Sequence, residues 1–457
     1  MKTAPVFQEA TPVTAALARY VVHSQPSDVP AAVRQEARRS FLNWMGCAVG
    51  GSRHETVDRA LAALAEFAGQ PTTSLLGRPE RLDALNASLI NGMASHVFDF
   101  DDTHLKTIIH PAGPIAPAIL ALAERQPVSG ADFLHAFILG VEVECRIGNA
   151  VYPNHYDIGW HITGTAGVFG AAAAAGWLLK LDEQQMRWAL GIAGTQSSGM
   201  REMFGTMCKS FHPGRAAQNG LMSALLAAKN FTSSEHVLEA PRGFAHVMST
   251  ARDFSRITDG LGETFEIALN TYKPFACGIV IHPSIDGCVQ LRNEFGLKEG
   301  DIERVELQVH PLVIELTGKK TPRTGLEGKF SVYHSVAAAI LWGAAGESEY
   351  SDARVLDPAA VALRERVVAT ARGGVCEDEV HVKILLKDGR VCTRHVVHAK
   401  GSLKVPMSDA ELEEKFRRLA VGVLPAAQTD ALIAVCWSID QLSDASEIAH
   451  AAVAKHC

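Results

Sequence analysis

The sequence predicts a mainly α protein, in which a large all-helical domain carries an inserted smaller α+β domain. Three observations support this. Apolar side chains recur at helical spacing from about residue 10 to 265. After about residue 268 the period shortens to two, as in Ile302, Val305, Leu307 and Val309. Helical spacing then returns, opening on Ser408 and Glu411, which are placed as a capping box. A chain of 457 residues exceeds one ordinary core. The simplest division gives 1–267 and 405–457 to the helical domain and 268–404 to the insertion.

Individual elements follow from local chemistry. Over 84–97, Leu85, Leu89, Met93, Ala94 and Val97 fall on one helical face, and Asp83 can cap the start. Pro213 suits a first helical turn, and Ala217, Leu221, Ala224, Leu225 and Ala228 continue a stripe beyond it. The stretch 162–179 is uncharged but rich in Gly and Ala, which predicts a closely packed buried helix rather than a membrane span. In the insertion, 302–310, 380–386 and 391–397 alternate as half-buried strands, with a helix over 330–342 between them. Lys387-Asp388-Gly389-Arg390 joins the last two strands. Its Asp-Gly pair predicts a tight hairpin with both central residues at positive φ. Leu412, Phe416 and Leu419 form the apolar face of the returning helix, and a last helical segment begins near Thr429.

Composition excludes several functions. Hydrophobic residues make up 47% and charged residues 20%, the balance of a folded chain. The net charge of -7, with no basic run, argues against nucleic-acid binding, which needs clustered cations. Nine widely spaced Cys with no C-x-x-C predict neither a disulfide framework nor a zinc site. The N-terminus lacks the build of a secretory leader, so the expected compartment is the cytoplasm. Gly164, Gly167 and Gly170 have the wrong spacing for a dinucleotide loop.

Four clusters could carry chemistry. Asp99-Phe100-Asp101-Asp102-Thr103-His104 precedes His110, and an Asp beside a His fixes its tautomer and raises its basicity. Magnesium bound by Asp99, Asp101 and Asp102 is a competing reading, as is a solvated helix end. His161 opens the Gly/Ala helix, whose free N–H groups attract anions. Lys209, His212 and Arg215 surround the expected start of the next helix and suit a carboxylate. Lys273, Cys277 and His282 fall at the domain junction, where ligand clefts are common. A buried Cys277 is preferred over a nucleophile. Together these residues describe an acid–base enzyme for a small anion; a non-catalytic binder of a polycarboxylate is the alternative.

At these clusters the chain resembles the MmgE/PrpD family, which includes 2-methylcitrate dehydratase, cis-aconitate decarboxylase and iminodisuccinate epimerase. The likeness extends to Leu42–Cys47, Asn91–His96, Leu238–Phe244 and Lys329-Phe330-Ser331. It implies a helical domain with an α+β lid, a homodimer, a small polycarboxylate substrate, and no metal or organic cofactor. By the family's patterns, Asp99, His110, His161, Lys209 and Lys273 are catalytic. Thr103, His212, Arg215, His282 and His334 are substrate-binding candidates. Three positions depart from the pattern: Gly278 stands where a pocket His is expected, His334 where a Tyr is usual with Tyr333 one place earlier, and Asn43 where an Asp is usual. The expected reaction is proton transfer next to a carboxylate, first of all as a 2-methylcitrate dehydratase-like lyase, with epimerase and decarboxylase as alternatives.

Overall fold

The computed structural model describes residues 12–454. Helices dominate these residues, with one four-stranded sheet and two short ladders beside them. The centre of the helical body is the Ile162–Leu178 helix, buried along its length except at Trp177. Its small side chains let the Ala112–Ala123, Gly130–Val151 and Cys208–Ala227 helices close around it. Among the described residues no helix is long and apolar enough to cross a membrane.

The Ala84–His96 helix is capped by Asp83, whose carboxylate accepts from the Leu85 and Asn86 amides. Its burial differs from the one-sided expectation. From Ala87 to His96 every residue is buried, because the Ala31–Gly51, Ala112–Ala123 and Cys208–Ala227 helices enclose it. A Cβ added to Gly92 would lie 2.6 Å from the Gly214 Cα, so the two backbones touch there. That close approach brings His96 at the end of one helix to Lys209 near the start of the other.

The helix expected to begin at Pro213 begins at Cys208 instead. The Thr206 hydroxyl accepts from the Cys208 amide and supplies the start signal. Pro213 is therefore interior, where its missing N–H and fixed ring are tolerated beside Gly113. Lys209 and His212, three residues apart, share a face. Arg215 lies six residues after Lys209, about 240° around the helix, and points to solvent.

The sheet runs in the order Val367–Ala371, Ile302–Val309, Val380–Leu386, Val391–Val396. The first pair is parallel and the others antiparallel. The His282–Phe295 and Val332–Trp342 helices pack against it and close a second core. The Asp-Gly hairpin has a three-residue loop rather than the two-residue turn expected. Gly389 has φ +87°, Asp388 does not share that region, and the Leu386 amide donates to the Arg390 carbonyl. The Ser408–Glu411 capping box is present. The Asp409–Ala420 helix returns to the Ala31–Gly51 helix, with Phe416 packed over Gly46.

Candidate active site

The site is built where the Ala84–His96 helix ends. The Asp99 amide donates to the His96 carbonyl at 2.9 Å, closing a turn in which Asp99 has φ +52°. Few non-glycine residues adopt that conformation, and Asp is among the more tolerant. Downstream, Thr103–His104 pairs with Asn270–Thr271 as a two-residue ladder. The ladder carries the chain directly to Lys273, which reaches back to Asp99.

Asp99 is the hub. Its Oδ1 accepts from Lys209 Nζ at 2.7 Å and lies 3.1 Å from Lys273 Nζ. Lys273 Nζ also donates to the Asp99 carbonyl at 2.9 Å. Lys209 Nζ makes a second bond, 2.8 Å to His96 Nε2, and His96 Nδ1 lies 2.7 Å from Asp101 Oδ2. Each ammonium thus has two polar contacts and a third N–H left for a ligand in the cavity both residues line.

His110 is held from behind. Its Nδ1 donates to the Asp102 carbonyl at 2.8 Å and lies 3.5 Å from Asp101 Oδ1. The proton is thereby fixed on Nδ1, leaving the Nε2 lone pair toward the cavity, 4.0 Å from Asp99 Oδ1. Thr163 Oγ1 accepts from the His110 amide, tying that turn to the central helix. His161 is the residue before that helix, and its Nδ1 meets His212 Nδ1 at 2.8 Å. Of two imidazoles bonded in this way one donates and the other, which accepts, is neutral; burial lowers both rings and keeps the pair uncharged.

The charge states follow from burial and neighbours. Burial raises Asp99, but Lys209 and Lys273 outweigh it and hold the carboxyl well below the usual range. Burial lowers His110 to about 3, against the opposing pull of Asp101. His161 is likewise held neutral by burial and then by the Lys209 charge. Burial depresses the Lys209 ammonium, making it a better acid, while Asp99 opposes the shift. Asp102 is pushed up to about 7 by burial and by Asp101, although Asn270 and Ser40 bond its carboxylate. The site therefore combines neutral imidazoles with ammonium groups.

Asp99, His110, His161, Lys209 and Lys273 line one cavity with Tyr156, Phe204 and Ile108. The facing wall is Gly278, Ile279, Val280, Leu316, Thr317 and Phe330. The free space is about 30 Å³, room for water but not for a tricarboxylic acid. Thr103 stands behind His110, its hydroxyl 3.4 Å from Nδ1, and His212 stands behind His161. Arg215 is exposed and bonds Gln218. His282 is buried edge-on to Phe275 and lines a neighbouring cavity of about 190 Å³. His334 bonds the Glu349 carbonyl at 3.0 Å, away from the cavity. Cys277 is buried, which pushes its thiol up to about 12.

Three residues of this network have no role assigned from the sequence: His96, Lys329 and Lys415. His96 was readable in principle, because it lies three residues before Asp99 at the end of the same helix. Lys329 stands in the Lys329-Phe330-Ser331 stretch of the resemblance, which gives it no role, and Lys415 arrives from a distant segment with no local signal. His96, Asp99 and His110 also offer ligand atoms within 4.8 Å of one another, the spacing of a metal set. Lys209 Nζ already bonds two of the three, so a divalent cation would have to displace an ammonium. Asp101 and Asp102 turn to His96 and to Ser40 and Asn270, so the three aspartates do not converge as the magnesium reading requires.

Comparison with known proteins agrees with this architecture. Residues 15–257 match the MmgE/PrpD N-terminal domain and residues 275–439 the MmgE/PrpD C-terminal domain. A cis-aconitate decarboxylase-like protein, oryM, of Aspergillus oryzae is 27% identical, covering 95% of this chain and 96% of its own. The cis-aconitate decarboxylase of Aspergillus terreus is 26% identical over 95% of both chains. The human cis-aconitate decarboxylase is 27% identical over 91% of this chain and 89% of its own. With its two domain matches covering most of its length, this chain belongs to the MmgE/PrpD family.

Proposed function

We propose that the chain is a lyase of a small tricarboxylic acid that releases CO₂ from a cis-aconitate-like substrate without an organic cofactor. The observation that carries this reading is the division of one cavity into a wall of ammonium groups and neutral imidazoles and a wall of apolar side chains. To seat the acid, the apolar wall draws back from the about 30 Å³ that the structure leaves free, and two substrate carboxylates then bond the remaining N–H groups of Lys209 and Lys273. The third sits against Ile279, Val280 and Leu316, where lost hydration favours departure as neutral CO₂. The electron pair of the broken C–C bond passes through the adjacent double bond to the carbon next to a remaining carboxylate. The ammonium groups stabilise that enolate-like charge. A proton from Lys209 completes the product, and solvent restores it. The names of the relatives favour this order of preference over the dehydratase.

The dehydratase reading keeps its own support in His110. Its Nε2 lone pair faces the cavity and Asp101 backs the ring, the arrangement of a base that takes a proton next to a carboxylate. Loss of hydroxide, assisted by Lys209, would then follow; reprotonation on the other face would instead give an epimerase. A panel of cis-aconitate, citrate, 2-methylcitrate and iminodisuccinate tests these readings by CO₂ release, C=C absorbance and optical rotation. Decarboxylation removes no substrate proton, so His110→Gln should then cost less than Lys209→Met; in a dehydratase both should cost on the order of 10² or more. Absence of turnover, and of solvent deuterium in every bound acid, would leave a binding protein instead.

A further inference from the structure

Three lysines from three separate segments hold the backbone of the turn that presents Asp99. Lys329 Nζ donates to the Phe98 carbonyl at 2.9 Å, Lys273 Nζ to the Asp99 carbonyl at 2.9 Å, and Lys415 Nζ to the Phe100 carbonyl at 2.6 Å. These are consecutive carbonyls. Lys273 follows the short ladder, Lys329 precedes the Val332–Trp342 helix, and Lys415 lies on the Asp409–Ala420 helix.

We infer that Lys329 and Lys415 are positioning residues of the site, which act through the Phe98–Phe100 backbone to fix where the Asp99 carboxylate points. A buried carbonyl needs a donor, and a turn leaves its carbonyls without the helical partners that would supply one. Here each donor is an ammonium, stronger than a neutral amide. The central residue of the turn is the one at φ +52°, a conformation that persists only where its surroundings enforce it.

The remaining bonds of the two lysines tie other pieces to the same point. Lys415 Nζ also bonds Asn43 Oδ1 at 2.7 Å and the Lys273 carbonyl at 2.9 Å, so all three N–H groups are used. It stands 3.8 Å from the centroid of the Phe100 ring. One side chain therefore sets both the turn and the backbone of Lys273. Lys329 Nζ bonds the Ala276 carbonyl at 3.0 Å and Glu347 Oε2 at 2.6 Å, linking the junction segment and the Gly346–Tyr350 turn to Phe98. The hub carboxylate is thus in place only when the sheet lobe and the Asp409–Ala420 helix are both docked.

A structural role alone would lower stability and leave the folded enzyme's rate intact, so the test must separate the two. Lys415→Met and Lys329→Met keep an unbranched side chain one atom shorter and remove its donors. In crystal structures of the full-length variants, Asp99 should leave the left-handed region or its carboxylate should leave Lys209. Unchanged Asp99 geometry in both variants overturns the inference, whatever the rate. With an acid the wild type turns over, kcat per folded molecule should fall on the order of 10² with KM little changed. Unchanged kcat beside a lowered unfolding temperature also overturns it. If Lys415→Met does not fold, Lys329→Met carries both readouts and Lys415→Arg, which retains donors, should recover activity. The kinetic arm rests on the proposed lyase reading. Failure of the wild type on every acid would sink that reading, while the crystal structures would still judge the positioning.

Discussion

The two walls of the cavity were made by opposite means. The wall from the helical body is ionic, and its carboxylate and imidazoles are held by polar partners: Asp99 by two lysines, His110 by the Asp102 carbonyl, His161 by His212, with His96 behind them between Asp101 and Lys209. The wall from the sheet lobe is apolar, with Gly278, Ile279, Val280, Leu316 and Phe330 and a single hydroxyl, Thr317. The contrast separates tasks. Preorganised charge lowers a barrier because it costs no reorganisation during the reaction. An apolar surface excludes water and selects by shape, where a methylene is worth far less than a buried charge.

That contrast can be broken at several levels. The largest effect is expected on the ionic wall, where Lys209→Met should cut turnover 10²–10⁴-fold, about 3–5 kcal/mol of barrier. Steady-state kinetics on the acid identified from the panel would check it, and a loss under tenfold would remove Lys209 from the chemistry. Next comes the cost of keeping imidazoles neutral. Burial lowers His110 to about 3 and His155 and His212 to about 4. In the unfolded chain they return to about 6.5. Below that pH the unfolded state binds protons that the folded state refuses, so stability is complete above about 6.5 and declines as pH falls toward the folded values. At pH 5 each contributes a loss of about 2 kcal/mol. Thermal unfolding at pH 7.5 and 5 should register the drop; a flat profile would contradict the assigned charge states.

The apolar wall should yield less. Val280→Ala removes two methyl-sized groups from it and should weaken kcat/KM by about 1–2 kcal/mol, with a larger change in preference between acids of different size. A rate loss as deep as that of Lys209→Met would mean that the sheet lobe takes part in the chemistry. The smallest effect belongs to Arg215→Ala. Its side chain is exposed and bonded to Gln218, so kinetics should stay within about twofold, inside the ±0.5 kcal/mol usual for surface changes. A marked KM increase would show that Arg215 reaches the acid in a conformation different from this one.

Much of the fold was legible because periodicity is a local property. The strand at Ile302–Val309, the capped helix at Ala84–His96 and the capping box at Ser408 all follow from residues within one window. The errors are local too. The missing N–H of Pro213 suits a helix start, yet the helix begins at Cys208 after Thr206 and so carries Lys209 and His212 on its first turns. Gly389 alone takes positive φ, because a three-residue loop needs it at a single position.

The site divides in the same way. The residue types that make it were visible in sequence, since clustered Asp, His and Lys beside helix ends announce themselves, and so was the uncharged helix around which the body packs. Which of them meet was not. His96 reaches Lys209 because Gly92 and Gly214 allow two backbones to touch, and Arg215 misses because six residues of helix rotate it away. Lys329 and Lys415 join the Asp99 turn from sequence distances of 231 and 315 residues, measured to Phe98 and Phe100. A sequence fixes the chemistry of each side chain and the period of its neighbours, whereas the direction of an ammonium group toward one carbonyl is set by the packing of whole helices, which no local window contains.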